Sequence, residues 1–365
     1  MKRALCLVSA MNVGGAETFL MKLYRAMDKS KYQLDFCVNT QEEGFYDREI
    51  KEAGGRIFYI PPKSQSFFRY RRELAALITR ENYRYVFRTA SNAAGLLDLS
   101  IAKRAGAERC AARSNSAGNG EGTLGAAANA VGRCLFARCA DVKLAPSELA
   151  ARHLFGAGAV RRGEVCYLPN GLDLRQYRFQ PDARESVCRE FSVQPSFLIG
   201  HVGRFTAAKN HAFLLEVFRC LAERSDGAML LLVGTGELEE TIRRKTEQMG
   251  LLDRVIFAGL RTDIPRLLSA MDAMLLPSFY EGMPNAVIEA QAVGLPCVIS
   301  DSITRQADIT GLVSYLPLSA APEAWAQELL RVGVAPRRDT AADISAHGYE
   351  ISGAAERFVE LIFRE

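Results

Sequence analysis

The residues with the most chemical promise lie in the segment Pro277–Ala290, P-S-F-Y-E-G-M-P-N-A-V-I-E-A, where Glu281 and Glu289 stand eight positions apart. Pro284 suits the first turn of a helix, which puts Glu281 in the preceding loop and Glu289 inside the helix. Free backbone amides near Gly282, Met283, Pro284 and Asn285 would then face the positive end of the helix dipole. The arrangement can hold a phosphate there, a polyol at Glu281 and a ribose at Glu289. Two glutamates eight apart also arise by chance, and a structural salt bridge at Glu289 is the plain alternative.

Two cations share another loop, Gly203–Asn210, which follows an apolar run and opens a helix. Arg204 offers a fixed fork of donors and Lys209 a point charge, a combination suited to a diphosphate whose charge grows as it leaves. Either cation alone would read as a solvated surface charge. The V-G-T-G segment at Val233–Gly236 lacks the third glycine of a dinucleotide fingerprint, because Glu239 stands at that place. Gly234 there reads as room for a nucleoside. Gly259 and Arg261 follow another strand end and suit the border of a base, an ordinary loop arginine being the equal alternative. Near the N-terminus, Gly14 and Gly15 follow the opening strand and let amides approach an anion, or else make only a tight turn.

These loops need strands and helices to aim them. Short apolar runs (Arg3–Ala10, Tyr32–Val38, Arg56–Ile60, Tyr85–Arg88, Arg109–Ala112, Asp141–Ala145) alternate with helix-period segments such as Gly15–Met27, with Ala16, Phe19, Leu20, Leu23, Tyr24 and Met27 on one face. A Gly-, Ser- and Asn-rich stretch, Ser114–Leu124, reads as a mobile loop. The same grammar resumes after Leu168–Gly171 with runs at Ser196–Val202, Ala228–Val233, Arg254–Ala258, Ala273–Leu276 and Cys297–Ser300. At 365 residues the chain exceeds what one core organises. The pattern predicts two doubly wound α/β domains facing across a cleft, with ligands at the carboxyl ends of the strands.

Apolar residues make up 48% and charged residues 24%, an ordinary globular composition. No apolar run is long enough for a membrane span and the N-terminus does not read as an export signal, so the expected place is the cytoplasm. Nine cysteines without a C-x-x-C pair, four scattered histidines and no D-x-D give no disulfide framework and no metal site. The net charge of +4 is unevenly spread: residues 1–175 hold 27 Lys+Arg against 17 Asp+Glu, whereas residues 176–365 hold 19 against 25. A basic first half suits a polyanionic substrate or an anionic membrane, with Arg69, Arg71 and Arg72 interleaved among aromatics. No nucleic-acid motif accompanies it.

Taken in order, G-G-A-E, G-R-F-x-x-x-K-N, V-G-x-G and E-G-M-P-N-x-x-x-E resemble the retaining glycosyltransferases of family 4, and their detail is closest to the branch that builds capsules and exopolysaccharides. The resemblance covers nearly the whole chain and implies the GT-B fold, two Rossmann-like domains. These would be an acceptor-binding domain at 1–172, with a final helix at about 351–365 packing back on it, and a nucleotide-sugar domain at 173–350. It implies a UDP-sugar in the commonest case, with Arg204 and Lys209 on the diphosphate, Glu289 on the ribose, and Glu281 with Gly282–Asn285 on sugar and phosphates. Gly14 and Gly15 would close the donor site and Gly259–Arg261 border the base, without cofactor or metal. The expected acceptor is a lipid-linked or growing saccharide at the inner face of the plasma membrane. Relatives commonly carry a histidine where this chain reads Ala112-Arg113-Ser114-Asn115-Ser116; Arg113 or Asn115 would take its place. A nucleotide-sugar 2-epimerase and a catalytically silent nucleotide-sugar or polysaccharide binder are the competing readings.

Overall fold

The computed structural model describes residues 1–12, 14–115 and 123–364, with Thr123 and Leu124 as backbone only. The chain divides into two compact units, Met1–Leu172 with Gly348–Glu365, and Asp173–His347. Among the described residues the first unit holds strands β1 (Lys2–Val8), β2 (Tyr32–Val38), β3 (Ile57–Tyr59), β4 (Tyr85–Ala90), β5 (Arg109–Ser114), β6 (Val142–Ala145) and β7 (Val165–Tyr167). They form one sheet in the order β3-β2-β1-β4-β5-β6-β7, every neighbouring pair parallel. The second unit holds β8 (Phe197–Val202), β9 (Ala228–Val233), β10 (Val255–Gly259), β11 (Ala273–Leu276), β12 (Cys297–Ser300) and β13 (Val313–Leu316). Their order is β10-β9-β8-β11-β12-β13, again all parallel.

Parallel sheets are covered on both faces, which is why their strands read as near-continuous apolar runs. In β1, Leu5 and Leu7 enter one core layer, and Ala4, Cys6 and Val8 enter the layer on the opposite face. Helix Gly15–Ala26 covers that second face with Phe19, Leu20, Leu23 and Tyr24, all at most 2% exposed, the face its spacing predicts. Two strands escape the sequence reading, β7 and β13. Both are short sheet edges, and β13 is only half-buried along its length, so neither needs a long apolar run. Of the expected loop Ser114–Leu124, Ser114 ends β5 and a helix opens at Thr123; residues 116–122 lie outside the described residues.

The last helix, Ile351–Phe363, belongs to the first unit. Its Ala354, Ala355, Phe358, Ile362 and Phe363 are buried in the layer of Gly15–Ala26, with Phe358 edge-on to Phe87 of β4 at 5.1 Å between ring centres. Leu172 donates its N–H to Tyr349 O at 2.7 Å and accepts from Ile351 N at 2.9 Å, so the segments at the two ends of the second unit are hydrogen-bonded to each other.

In each sheet the chain reverses its direction of winding once, between β1 and β4 in the first and between β8 and β11 in the second. Loops leaving the carboxyl ends of two such strands diverge and leave a crevice, the usual ligand position in open α/β sheets. Because Phe358 is fully buried, Phe358→Ala should destabilise the first unit by about 3–5 kcal/mol. Urea unfolding of the full chain checks this; a loss below about 1 kcal/mol would mean the helix is not held by its apolar face.

Candidate functional site

The crevice of the second unit brings together Lys209, from the loop after β8, and Glu281, from the loop after β11. Lys209 Nζ stands 2.5 Å from Glu281 Oε1, which also accepts from Ser278 Oγ at 2.9 Å. Both charged side chains are largely covered, 18% and 15% exposed. Hydrogen bonds to ionised groups strengthen as water is excluded, so this pair fixes the two loops to each other. A backbone bond from Phe279 N to Ala208 O at 2.8 Å does the same a few residues away. Ser302, after β12, donates its hydroxyl to Ser278 O at 3.0 Å and brings in a third loop. Arg204 stays in solvent, its side chain 74% exposed and 3.4 Å from Glu237.

Pro284 caps helix Asn285–Ala292, Gly282 and Met283 are half-buried, and Asn285 is exposed at the first helical position. Glu289 lies inside the helix and receives a hydrogen bond from the Tyr177 hydroxyl, whose ionisation is pushed well up by burial and by that carboxylate. Tyr177 was not legible as a site residue, because 112 positions separate it from Glu289. The glycines of the V-G-T-G loop serve a different purpose from the one expected. A Cβ on Gly234 would fall 2.1 Å from Gly203 O, and one on Gly236 would fall 2.6 Å from Phe205 O. The missing side chains let the loop after β9 lie directly on the loop after β8, with Phe205 N bonded to Thr235 O. Gly259, at φ +66°, accepts from Gly234 N at 2.9 Å and ties on the loop after β10.

Under the loop sit two histidines that sequence reasoning weighed only as metal ligands. His201 and His211 are 0% and 2% exposed, with ring centres 4.7 Å apart, and His211 stacks on Phe205 at 4.4 Å. Burial holds both rings neutral: His201 lies well below its ordinary range, and His211 is lowered from 6.5 to about 4 by burial and by the Lys209 charge. Among the described residues no cluster of three or more His, Cys, Asp or Glu is placed to hold a metal ion.

Other expected site residues are engaged elsewhere. Arg261, expected beside a base, gives its guanidinium to Asp263 at 2.8 and 2.9 Å and to Glu190 at 2.6 Å, so it braces the loop after β10. In the first unit Arg113, expected at the acceptor or membrane surface, is 2% exposed. It lies 3.6 Å over the Phe19 ring and donates to Leu168 O and to Asn170 Oδ1 at 2.7 Å. The cause is its place on β5, an interior strand covered on both faces, and desolvation there lowers its pKa to about 9. Asn115, two residues further, is exposed. At Gly14 and Gly15 the anion facing the helix start is the chain's own: a Cβ on Gly14 would meet Glu17 Oε2 at 2.5 Å. Burial raises the Glu17 pKa, partly offset by its backbone hydrogen bond and by Arg88. Arg69 is paired with Glu73 at 2.7 Å, on a helix (Phe67–Arg80) where Arg71 and Arg72 are exposed beside Phe68.

The buried histidines give the second unit a pH dependence of defined sign. Unfolded, each ring takes a proton near pH 6.5, whereas folded His211 takes one only near pH 4. The unfolded state therefore binds more protons in that window, and stability, complete above about 6.5, falls as pH drops toward 4. For His211 the loss corresponds to roughly 3 kcal/mol. Urea unfolding at pH 7 and pH 4.5 should show the decline, and His211→Phe, which keeps the stack on Phe205, should reduce it; an unchanged slope in that variant would assign the effect to other groups.

Residues 13–176 match the family described as Glycosyltransferase Family 4, and residues 196–333 match Glycosyl transferases group 1. EpsF of Bacillus subtilis (strain 168) is 38% identical over 361 residues, 96% of this chain and 93% of that protein. An Escherichia coli UDP-Gal:alpha-D-GlcNAc-diphosphoundecaprenol alpha-1,3-galactosyltransferase is 34% identical over 144 residues, 38% of this chain and 37% of that one. Among solved structures, Anabaena HepE in complex with UDP and glucose superposes with a TM-score of 0.77 at 18% identity, over 100% of both chains. WaaG, a glycosyltransferase involved in lipopolysaccharide biosynthesis, gives 0.70 at 15% identity, also over 100% of both. With two doubly wound parallel sheets, both family regions in sequence and a relative matched almost end to end, the chain belongs to glycosyltransferase family 4 and has the GT-B fold.

Proposed function

We propose that the protein moves a sugar from a UDP-sugar, with retention of anomeric configuration, to a lipid-linked or growing saccharide in exopolysaccharide or capsule synthesis. The observation that carries the reading is the meeting of Lys209 and Glu281 at the switch point of the second sheet, beside a helix start and a solvent-facing Arg204. The near full-length similarity to the glycosyltransferase EpsF supports glycosyl transfer, and the partial one to the galactosyltransferase acting on a diphosphoundecaprenol-linked sugar, with a shorter one to a Vi polysaccharide biosynthesis protein of Salmonella typhi, supports the acceptor class.

In this reading the second unit binds the donor and the first the acceptor. The diphosphate lies against Lys209, Arg204 and the amides of Gly282–Asn285, the sugar against Glu281 and the ribose against Glu289. As the anomeric C–O bond breaks, its electron pair passes to the departing diphosphate oxygen. Lys209 and Arg204 match that charge where it grows, which lowers the transition state more than the ground state. The acceptor hydroxyl attacks from the face the diphosphate leaves, and its proton passes to the departing phosphate oxygen. Transfer then needs no metal and no cofactor beyond the nucleotide sugar.

We place the enzyme in the cytoplasm at the inner membrane face; among the described residues no helix is long and apolar enough to cross a membrane. Phe68, 80% exposed, beside Arg71 and Arg72 gives the first unit an apolar and cationic contact for anionic lipid. Because Arg69 already has Glu73, Arg71→Gln with Arg72→Gln should weaken binding to anionic vesicles in low salt about tenfold or more, and Arg69→Gln far less. Equal losses from all three would point to bulk charge instead of this surface.

A panel of UDP-, GDP- and ADP-sugars, scored for release of nucleoside diphosphate, tests the reaction. Release from a UDP-sugar is expected, with the sugar freed first as the donor's own anomer by NMR. Lys209→Ala should slow it about 100-fold or more. Interconversion of the bound sugar would favour a 2-epimerase, and binding without release a silent binder.

A further inference from the structure

One buried group near the end of β8, beneath the donor loop, has no part in ligand binding so far. His201 Nδ1 stands 3.0 Å from Leu275 O on neighbouring β11. A carbonyl oxygen only accepts, so Nδ1 carries the proton, and in the neutral ring Nε2 is a bare lone pair. That lone pair is fully buried and meets no donor among the described residues. The ideal Cβ position of Gly203 is 3.1 Å from His201 Nε2 and 3.1 Å from Lys209 Cε. The ring edge and the last methylene of the lysine therefore converge on one point beside the Gly203 backbone, and no side chain at 203 stands there. A buried acceptor without a donor is unfavourable, and the ammonium next to it is held by Glu281 in this state.

We infer that His201 is a positioning residue for Lys209: when a diphosphate draws the ammonium from Glu281, His201 Nε2 accepts one of its three N–H groups and aims the other two at the phosphates. His201 touches no substrate and its own protonation does not change. The absence of a side chain at Gly203 keeps the path between the two groups clear, which gives the glycine of the G-R-F segment a physical purpose. The inference rests on the reading of Lys209 as a diphosphate ligand.

The test uses the full chain and UDP as the probe, with affinity measured by calorimetry. His201→Asn keeps a donor for Leu275 O but removes the acceptor; His201→Gln places an amide oxygen near the Nε2 position. His201→Asn should weaken UDP binding about tenfold, and His201→Gln should recover most of it. In a Lys209→Ala background His201→Asn should cost nothing further, since a lysine that is absent needs no aiming. Should His201→Asn not fold, ¹⁵N-histidine NMR of the unmodified protein reads the same event: the His201 Nε2 resonance should move from the free lone-pair position toward the hydrogen-bonded one on adding UDP. Losses that simply multiply in the double variant, or an Nε2 resonance that UDP leaves unmoved, overturn the positioning role while leaving the donor site standing. Failure of the unmodified protein to bind UDP overturns the donor-site reading and this inference with it.

Discussion

A lysine and a glutamate 72 residues apart meet at 2.5 Å because β8 and β11 are hydrogen-bonded neighbours. Everything that makes the second unit a candidate for chemistry depends on that pairing. The chain first winds outward from β8 to β9 and β10, then crosses back to lay β11 on the free side of β8. Loops at this reversal have no helix between them to fill the gap, so their charged residues face each other in a partly covered crevice. A cation and a carboxylate held there at low exposure attract more strongly than at a surface, and each loses its partner if the other is displaced. The same ion pair therefore stabilises the empty loop and stores two groups that a charged ligand would separate.

The loops carrying this pair are rigid for a reason unrelated to ligands. Gly234 and Gly236 allow successive loops to stack backbone on backbone, and Gly234 N, Phe205 N and Phe279 N each find a carbonyl on the neighbouring loop. Beneath them the fully apolar or neutral floor of Phe205, His201 and His211 excludes water. A site built on satisfied amides and packed rings keeps its charged groups aimed without reorganising when a ligand arrives. The buried histidines contribute through neutrality, which is why acid should loosen this unit.

In the first unit net charge has to be read together with the partners of each cation. Part of its excess of arginine and lysine is engaged inside the fold. Arg3 and Arg56 converge on Asp35, and Lys63 and Arg88 on Asp98, both aspartates being fully buried. Arg113 is enclosed over Phe19, and Glu17 turns back on the helix start at Gly14. Arg71 and Arg72 beside Phe68 are exposed, and so are cations elsewhere on the unit, Arg104, Arg138 and Arg161 among them. A surface contact on this unit depends on where the exposed cations lie as well as on the overall balance of charge.

By itself the sequence determined the elements and the family. Buried parallel strands must be apolar on both faces, and helices covering them must be apolar on one, so β1, β2, β8, β9, β11 and β12 and the face of Gly15–Ala26 were legible from local pattern alone. Of the strands, β7 and β13 were missed; both are short and lie at sheet edges, where that demand relaxes. The loops that carry the candidate site were legible too, since glycine, proline and charge cluster where strands end. What the tertiary structure alone decided is which of those residues meet. It joined Lys209 to Glu281 and Tyr177 to Glu289, turned Gly234 from a ligand space into a packing contact, committed Arg261 to Glu190 and Asp263, and buried Arg113. Spacing along the chain fixes a residue's place on its own element, but strand order and covering layers fix its neighbours and its exposure, and those depend on contacts between residues far apart in sequence.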